Sequence, residues 1–290
     1  RMILMDKGRI IMDDTPEMIF SDEKTRSQYG FRRMTEKTPM KWDSLIIQSG
    51  EDQDDKKPLL SFDNVSAGYN HRSVIRNINI SLYPGDFVAL VGNNGAGKTT
   101  LGLTAAGLLK PISGKVKFEG GFKPRPGLDV AILFQNPVDQ LFTDTVSEEI
   151  AYGPRNYDLY NHDIHEEILN KTGLDDLKSR RPLMLSVGQG QRTALGACLG
   201  LRPKLLILDE PTLGQDWWHL QQLMDYIRYL NQKGMAILLI SHDYKLVHHY
   251  AQRVYLMKKG EISLTGHFTN IQTQHNIKVL TREEGLIDEI

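Results

Sequence analysis

Residues 92–99, Gly-Asn-Asn-Gly-Ala-Gly-Lys-Thr, set closely spaced glycines beside one lysine and one hydroxyl. That combination suits an anion rich in oxygens. Glycines let the backbone curl so that successive N–H groups converge on phosphate oxygens, a lysine adds a compact positive charge, and a threonine hydroxyl is a hard oxygen donor for Mg²⁺. The spacing is that of a phosphate-binding loop, G-x-x-x-x-G-K-[ST]. Gly92, Asn93, Asn94, Gly95, Ala96, Gly97, Lys98, Thr99 and Thr100 are therefore the residues expected to hold a nucleoside triphosphate, with Lys98 on the β- and γ-phosphates and Thr99 on Mg²⁺.

Such a loop needs a strand before it and a helix after it. Phe87–Val91 is an all-apolar run, as expected of a parallel strand buried on both faces, and Thr100–Lys110 continues as a helix. Three more aliphatic runs deliver polar residues at their ends: Val130–Phe134 before Gln135, Leu205–Leu208 before Asp209 and Glu210, and 235–240 before Ser241-His242. In open α/β sheets ligands collect at the C-terminal ends of strands. A carboxylate at Asp209 can hold Mg²⁺ opposite Thr99, and Glu210 can polarise an attacking water. Ser186, in Leu185-Ser186-Val187-Gly188-Gln189, is a good N-cap for a helix running to about Leu199, and Gly188 lets backbone approach a ligand; the segment reads either as just a capped helix or as a second anion-binding helix start. Tyr69, in a break at 67–70 between alternating strands that begin at Leu59, is the candidate to stack on a base. Helical patterns follow at 146–152 and 162–172.

Lys plus Arg number 35 against 36 Asp plus Glu, a net charge of −1 that offers no general case for nucleic-acid binding. The one cysteine, Cys198, excludes an internal disulfide and falls in a small-residue helical pattern suited to packing. The longest aliphatic run, Met235–Ile240, falls far short of the roughly 20 residues that span a bilayer. The chain reads as soluble and cytoplasmic, with no signal peptide in Arg1–Asp6. A repeat adds to this. Residues 1–10 (RMILMDKGRI) align with 253–262 (RVYLMKKGEI), and both read as hairpins turning at Lys-Gly. We expect 1–20 to be the remnant of a preceding domain, 21–57 a linker, 58–267 the catalytic domain and 268–290 a tail, making the chain the C-terminal half of a duplicated protein.

The order of these pieces resembles the ATP-binding cassette (ABC) ATPases: aromatic, phosphate loop, Gln loop, Leu-Ser-x-Gly-Gln, Asp-Glu after four aliphatics, then His. The likeness runs from about 59 to 266. It implies a P-loop α/β core with a mixed, mainly parallel sheet, an antiparallel β-subdomain and a helical arm around 140–185. It implies ATP and Mg²⁺ as cofactors, Tyr69 on adenine, Lys98 and Thr99 on phosphate and Mg²⁺, and Asp209 supporting the metal. Glu210 becomes the general base, His242 a γ-phosphate contact, and Gln135 a sensor of Mg²⁺ and water. Ser186, Gly188 and Gln189 would cover the nucleotide of a second cassette in a head-to-tail pair.

Phe134-Gln135-Asn136-Pro137, Asp139-Gln140-Leu141-Phe142 and Glu149-Ile150-Ala151-Tyr152-Gly153-Pro154 look like the coupling ATPases of energy-coupling-factor importers for vitamins or transition-metal ions. That likeness implies a peripheral protein on the cytoplasmic face of the cell membrane. Its partners would be a membrane-embedded coupling subunit, met near Asp139 and Glu149, and a substrate-binding membrane protein, with no nucleic acid. A soluble tandem-cassette ATPase acting on ribosomes or nucleic acid is the alternative, disfavoured by the −1 charge and the absence of a coiled-coil insert. Two positions depart from the family pattern: Val187 stands where Gly is usual, and Gly214-Gln215-Asp216 replaces Ala-Leu-Asp. Trp217-Trp218 beside the latter is a candidate dimer contact.

Overall fold

A computed structural model of the protein describes residues 1–6, 8–22, 24–25, 42, 46–48, 57–212 and 217–267, the side chains of Val138, Trp217 and Trp218 excepted. The expected tail, most of the expected linker, Gly214-Gln215-Asp216 and the Trp217-Trp218 contact lie outside it. The chain divides into two units, one of 1–40, 215–221 and 269–290, the other of 41–214 and 222–268.

In the first unit β1 (Met2–Asp6) and β2 (Arg9–Asp14) form the expected antiparallel hairpin, turning through Gly8 at φ +76°. Helix α1 (Pro16–Ser21) begins where Thr15 Oγ1 accepts from Met18 N at 3.3 Å, with Pro16 at its first position. Leu4 and Ile19 are buried, whereas Ile3, Met5 and Ile10 are exposed.

From residue 46 on, the elements are β3 (Ile47–Gln48), β4 (Leu60–Tyr69), β5 (Arg72–Leu82), β6 (Phe87–Val91), α2 (Lys98–Ala105), β7 (Ser113–Phe118), β8 (Val130–Leu133), α3 (Val146–Asn156), α4 (His162–Lys171), α5 (Val187–Gly200), β9 (Leu205–Asp209), α6 (Trp217–Gln232), β10 (Ala236–Ile240), α7 (Tyr244–Tyr250), β11 (Arg253–Lys258) and β12 (Glu261–His267), all in the second unit but for the first turn of α6. Seven strands make the main sheet in the order β3-β12-β11-β6-β10-β9-β8, parallel from β11 to β8 and antiparallel at β12 and β3. A separate antiparallel sheet has the order β5-β4-β7. Every residue of β6, β8, β9 and β10 is buried, which is why those stretches carry no alternation. Each large aliphatic side chain so enclosed contributes about 1.5–3 kcal/mol. One apolar core links these strands with α2 and the antiparallel sheet.

Three boundaries differ from the sequence reading. Strand β4 runs unbroken through Tyr69, and the turn falls at Asn70-His71, both left-handed (φ +49° and +59°), as a two-residue hairpin demands. Helix α2 stops at Ala105 instead of Lys110, because Gly107 at φ +76° ends it with a bond from Leu108 N to Leu103 O at 2.9 Å. Ile47–Gln48, inside the expected linker, pairs antiparallel with the outer edge of β12 while Ile46 is buried. An edge strand with open N–H and C=O groups readily takes such a cover.

Candidate active site

Pairing in the main sheet brings the chemistry-bearing residues to one edge. Ile240 pairs with Asp209 on one side and Leu90 on the other, and Leu133 pairs with Leu208. Gly92, Ser241, Glu210 and Gln135, each just beyond its strand, therefore emerge from four adjacent C-terminal ends.

The loop after β6 requires glycine at two points. Gly92 has φ +148°, and a Cβ there would meet the Met257 carbonyl oxygen at 2.3 Å. Gly97 has φ +107°, and a Cβ would lie 2.8 Å from Ile75 Cγ2. Gly260 N donates to Ala96 O at 2.9 Å, so the β11–β12 turn buttresses the loop. Gly97 opens α2 with no side-chain cap, leaving the helix start for another acceptor. Lys98 is buried, and its Nζ donates to Gly92 O at 2.8 Å and Asn93 O at 3.1 Å. Burial holds the Lys98 pKa below the usual lysine range, opposed by the charges of Glu210 and Asp209.

Thr99 Oγ1 donates to Asp209 Oδ2 at 2.7 Å, so the two hard oxygens expected for Mg²⁺ are in contact. Burial raises the Asp209 pKa above the ordinary carboxylate range; the Thr99 bond and Lys98 work against this, and Glu210 adds to it. A buried acid disfavouring its charged form is stabilised by a cation. These donors fit a triphosphate with Mg²⁺: a cationic loop and open helix start for the phosphates, and one carboxylate and one hydroxyl for a metal whose remaining ligands come from phosphate and water. Glu210, at φ +51°, accepts from Ser241 Oγ at 3.2 Å and His242 N at 3.4 Å, and lies 2.8 Å from His242 Nδ1. A left-handed non-glycine residue is strained and is found at functional sites.

Lys98, Thr99, Asp209, Glu210 and His242 thus lie together at adjacent strand ends. Gln135 is exposed one residue past Phe134, on the neighbouring strand end. Tyr69 ends β4 in the antiparallel sheet and is about half exposed. Ser186 caps α5 as expected: its Oγ accepts from Gln189 N at 3.3 Å and Gln189 Oε1 accepts from Ser186 N at 3.1 Å, a reciprocal capping box. Val187 is exposed beside it.

Glu149 requires a correction. It was expected on a partner-facing surface but is only 3% exposed, because loop donors at Phe142 and Thr143 draw its carboxylate inward. Asp139 is exposed, and Phe142 and Tyr152 form an exposed edge-to-face pair at 4.8 Å. Cys198 packs as expected, its thiol pushed up to about 12 by burial. Ser241 and the Lys259-Gly260 turn were not foreseen as parts of the site; the hydroxyl next to His242 at a strand end was a signal for the first, and nothing local signalled the second.

The family model for ABC transporters matches residues 75–213. The energy-coupling factor transporter ATP-binding protein EcfA of Methanocaldococcus jannaschii is 34% identical over 241 residues, covering 74% of this chain and 86% of the relative. The chain belongs to the ABC transporter ATPases. An ABC transporter ATP-binding protein of Methanosarcina acetivorans is 33% identical over 315 residues, covering 92% of this chain but 51% of the relative, so this cassette spans about half the length of that relative. Among solved structures, cbiO1 of Clostridium perfringens, described as part of the ABC transporter complex cbiONQ, matches with TM-score 0.65 at 28% identity, over 79% of this chain and 96% of that one. The ABC ATPase fold of this cassette agrees with the mixed sheet, antiparallel subdomain and helices described above.

Proposed function

We propose that this cassette binds MgATP at the β6–α2 loop and hydrolyses it, with Glu210 as general base, to drive uptake through a membrane partner. The carrying observation is the convergence of Lys98, the Thr99–Asp209 contact and the Glu210–His242 pair at adjacent strand ends. Lys98 and the loop N–H groups would hold the phosphates, Thr99 and Asp209 would hold Mg²⁺, and Tyr69 would offer a face to adenine. Bound Mg²⁺ would offset charge on the phosphate oxygens. Glu210 would take a proton from the water that attacks the γ-phosphorus as the bond to the departing ADP breaks, His242 would orient Glu210 and contact the γ-phosphate, and Gln135, beyond the next strand end, would be the residue to meet the metal and its water. Ser186, Gly188 and Gln189 serve the nucleotide of a second cassette. Glu210→Gln should retain ATP binding and lose hydrolysis by about 100-fold or more; unchanged turnover in the assembled complex would refute the assignment.

The finer reading is an energy-coupling-factor importer ATPase, peripheral on the cytoplasmic side. The EcfA and cbiO1 likenesses support it, as does the Phe134–Phe142 motif. Among the described residues no helix is long and apolar enough to cross a membrane. Asp139 with the Phe142–Tyr152 pair is the surface offered to a coupling subunit, and a cysteine at Asp139 should crosslink to it.

The two hairpins support a tandem arrangement. Pairs Met2↔Asp14, Ile3↔Asp13, Leu4↔Met12, Met5↔Ile10 and Asp6↔Arg9 match Val254↔Gly266, Tyr255↔Thr265, Leu256↔Leu264, Met257↔Ile262 and Lys258↔Glu261, all offset by 252, and the register shifts after Leu4 and after Leu256 alike. We read the first hairpin as the end of a preceding cassette. A phosphate-binding loop should lie as far before Arg1 in the coding sequence as Gly92 lies before Arg253; another sequence there would exclude the reading.

A further inference from the structure

One internal loop joins the catalytic sheet to the helical arm, and two buried or half-buried polar side chains tie it down. Strand β8 ends the seven-stranded sheet; among the described residues no strand pairs with its outer edge, where an isolated bridge joins Pro126 to Val130. The Gln140 side chain occupies that edge: its Oε1 accepts from Phe134 N at 2.8 Å and its Nε2 donates to Ile132 O at 2.9 Å. One amide thus supplies the donor and acceptor that a further strand would have offered, and it closes residues 134–140 into a ring around Gln135. Cys198 of α5 reaches the same point, its Sγ donating to Ile132 O at 3.4 Å.

The other end of the loop is held from α3. Glu149 Oε2 accepts from Phe142 N at 3.0 Å and Thr143 N at 2.9 Å, and lies 2.8 Å from the Thr143 hydroxyl. A carboxylate so buried is tolerable only because donors surround it, which makes this contact costly to open. Gln135 sits between the two attachments with its own side chain exposed.

We propose that Gln140 and Glu149 are positioning residues that hold Gln135 at the metal site, Gln140 by fixing its loop to the catalytic sheet and Glu149 by fixing the same loop to the helical arm. This rests on the reading of Gln135 as a ligand of Mg²⁺ or its water, and the two can fail separately. Gln140 sets the depth of Gln135 relative to Asp209 and Glu210 on the neighbouring strand. Glu149 makes any displacement of α3 a displacement of that loop, because the carboxylate grips backbone N–H groups and cannot slide along a side chain.

The test uses the full chain with Gln140→Ala, Glu149→Ala, Glu149→Gln and Gln135→Ala. ATP binding is titrated in EDTA and then with increasing Mg²⁺, and amide exchange is followed across 134–143. Gln140→Ala and Glu149→Ala should raise the half-saturating Mg²⁺ concentration about tenfold, as loss of an outer-shell partner does, with ATP affinity in EDTA unchanged. Exchange in 134–143 should quicken while α5 keeps its protection. Glu149→Gln, which keeps an acceptor oxygen, should recover most of the Mg²⁺ response; a merely electrostatic role would leave it as impaired as Ala. Gln140→Ala removes a half-buried side chain and keeps the test open should Glu149→Ala not fold. If Gln135→Ala weakens the Mg²⁺ response while neither Gln140→Ala nor Glu149→Ala does, the proposal is overturned. If Gln135→Ala itself has no effect, the metal role of Gln135 is wrong, and exchange alone then decides the clamp: faster exchange supports it and unchanged exchange refutes it.

Discussion

Helices α2 and α5 both begin at glycine-rich segments that the sequence marks as anion sites, yet they begin by opposite devices. Helix α2 opens from Gly97 at φ +107° with no side-chain cap. Helix α5 opens from Ser186 with a complete capping box, each partner of Ser186 and Gln189 serving the other. The first four N–H groups of a helix have no partner within it. At α2 they are left for a ligand, next to a buried lysine already held by Gly92 and Asn93 carbonyls. At α5 the chain satisfies part of the demand itself. On the proposed reading the α2 start would gain stability from bound phosphate, whereas the α5 start is formed without it and would be free to serve a nucleotide held elsewhere.

The largest effect that would break this comparison is at Lys98. On the proposed reading Lys98→Ala removes the charge that would meet the phosphates, and charge-assisted hydrogen bonds contribute about 1.5–3 kcal/mol. ATP affinity measured by titration should fall by about 10- to 100-fold. Wild-type affinity would mean that the α2 start is not the phosphate site. Gly97→Ala comes next. It forces a side chain into a left-handed residue at a cost of about 1–3 kcal/mol and sets a Cβ 2.8 Å from Ile75 Cγ2. Denaturant unfolding should show that loss together with weakened ATP binding. Stability lost with affinity intact would separate the loop's shape from its ligand.

Much of this site was readable in the sequence because its determinants are local. A five-residue apolar run ending in a glycine loop, or four aliphatics ending in Asp209-Glu210, states both strand and strand end. Ser186 ahead of a helical pattern states an N-cap; its reciprocal bond with Gln189 came from the structure. What escaped depends on contacts far apart in the chain. The β11–β12 turn buttresses Ala96 from Gly260, and no feature of either segment announces the other. Glu149, next to Glu148 in the first turn of an amphipathic helix, resembled a surface acid; only the folded loop supplies the donors that bury it. Strand β3 was hidden by its length of two residues.

The smallest effect is also the sharpest for the α5 start. Ser186→Ala removes the N-cap oxygen that Gln189 N uses, which costs about 1 kcal/mol of stability. Gln189→Ala removes only the reciprocal bond to Ser186 N. Because the two side chains belong to one box, their losses should not add: a double-mutant cycle from denaturant unfolding should return a coupling of about 0.5 kcal/mol. ATP affinity of this chain alone should change less than about twofold in either variant, since the box is closed without nucleotide. With a second cassette added, the same variants should lower the stimulated hydrolysis while leaving nucleotide binding at α2 intact. A tenfold loss of ATP affinity in Ser186→Ala alone would put both helix starts on one nucleotide, and the division of labour between α2 and α5 would be wrong.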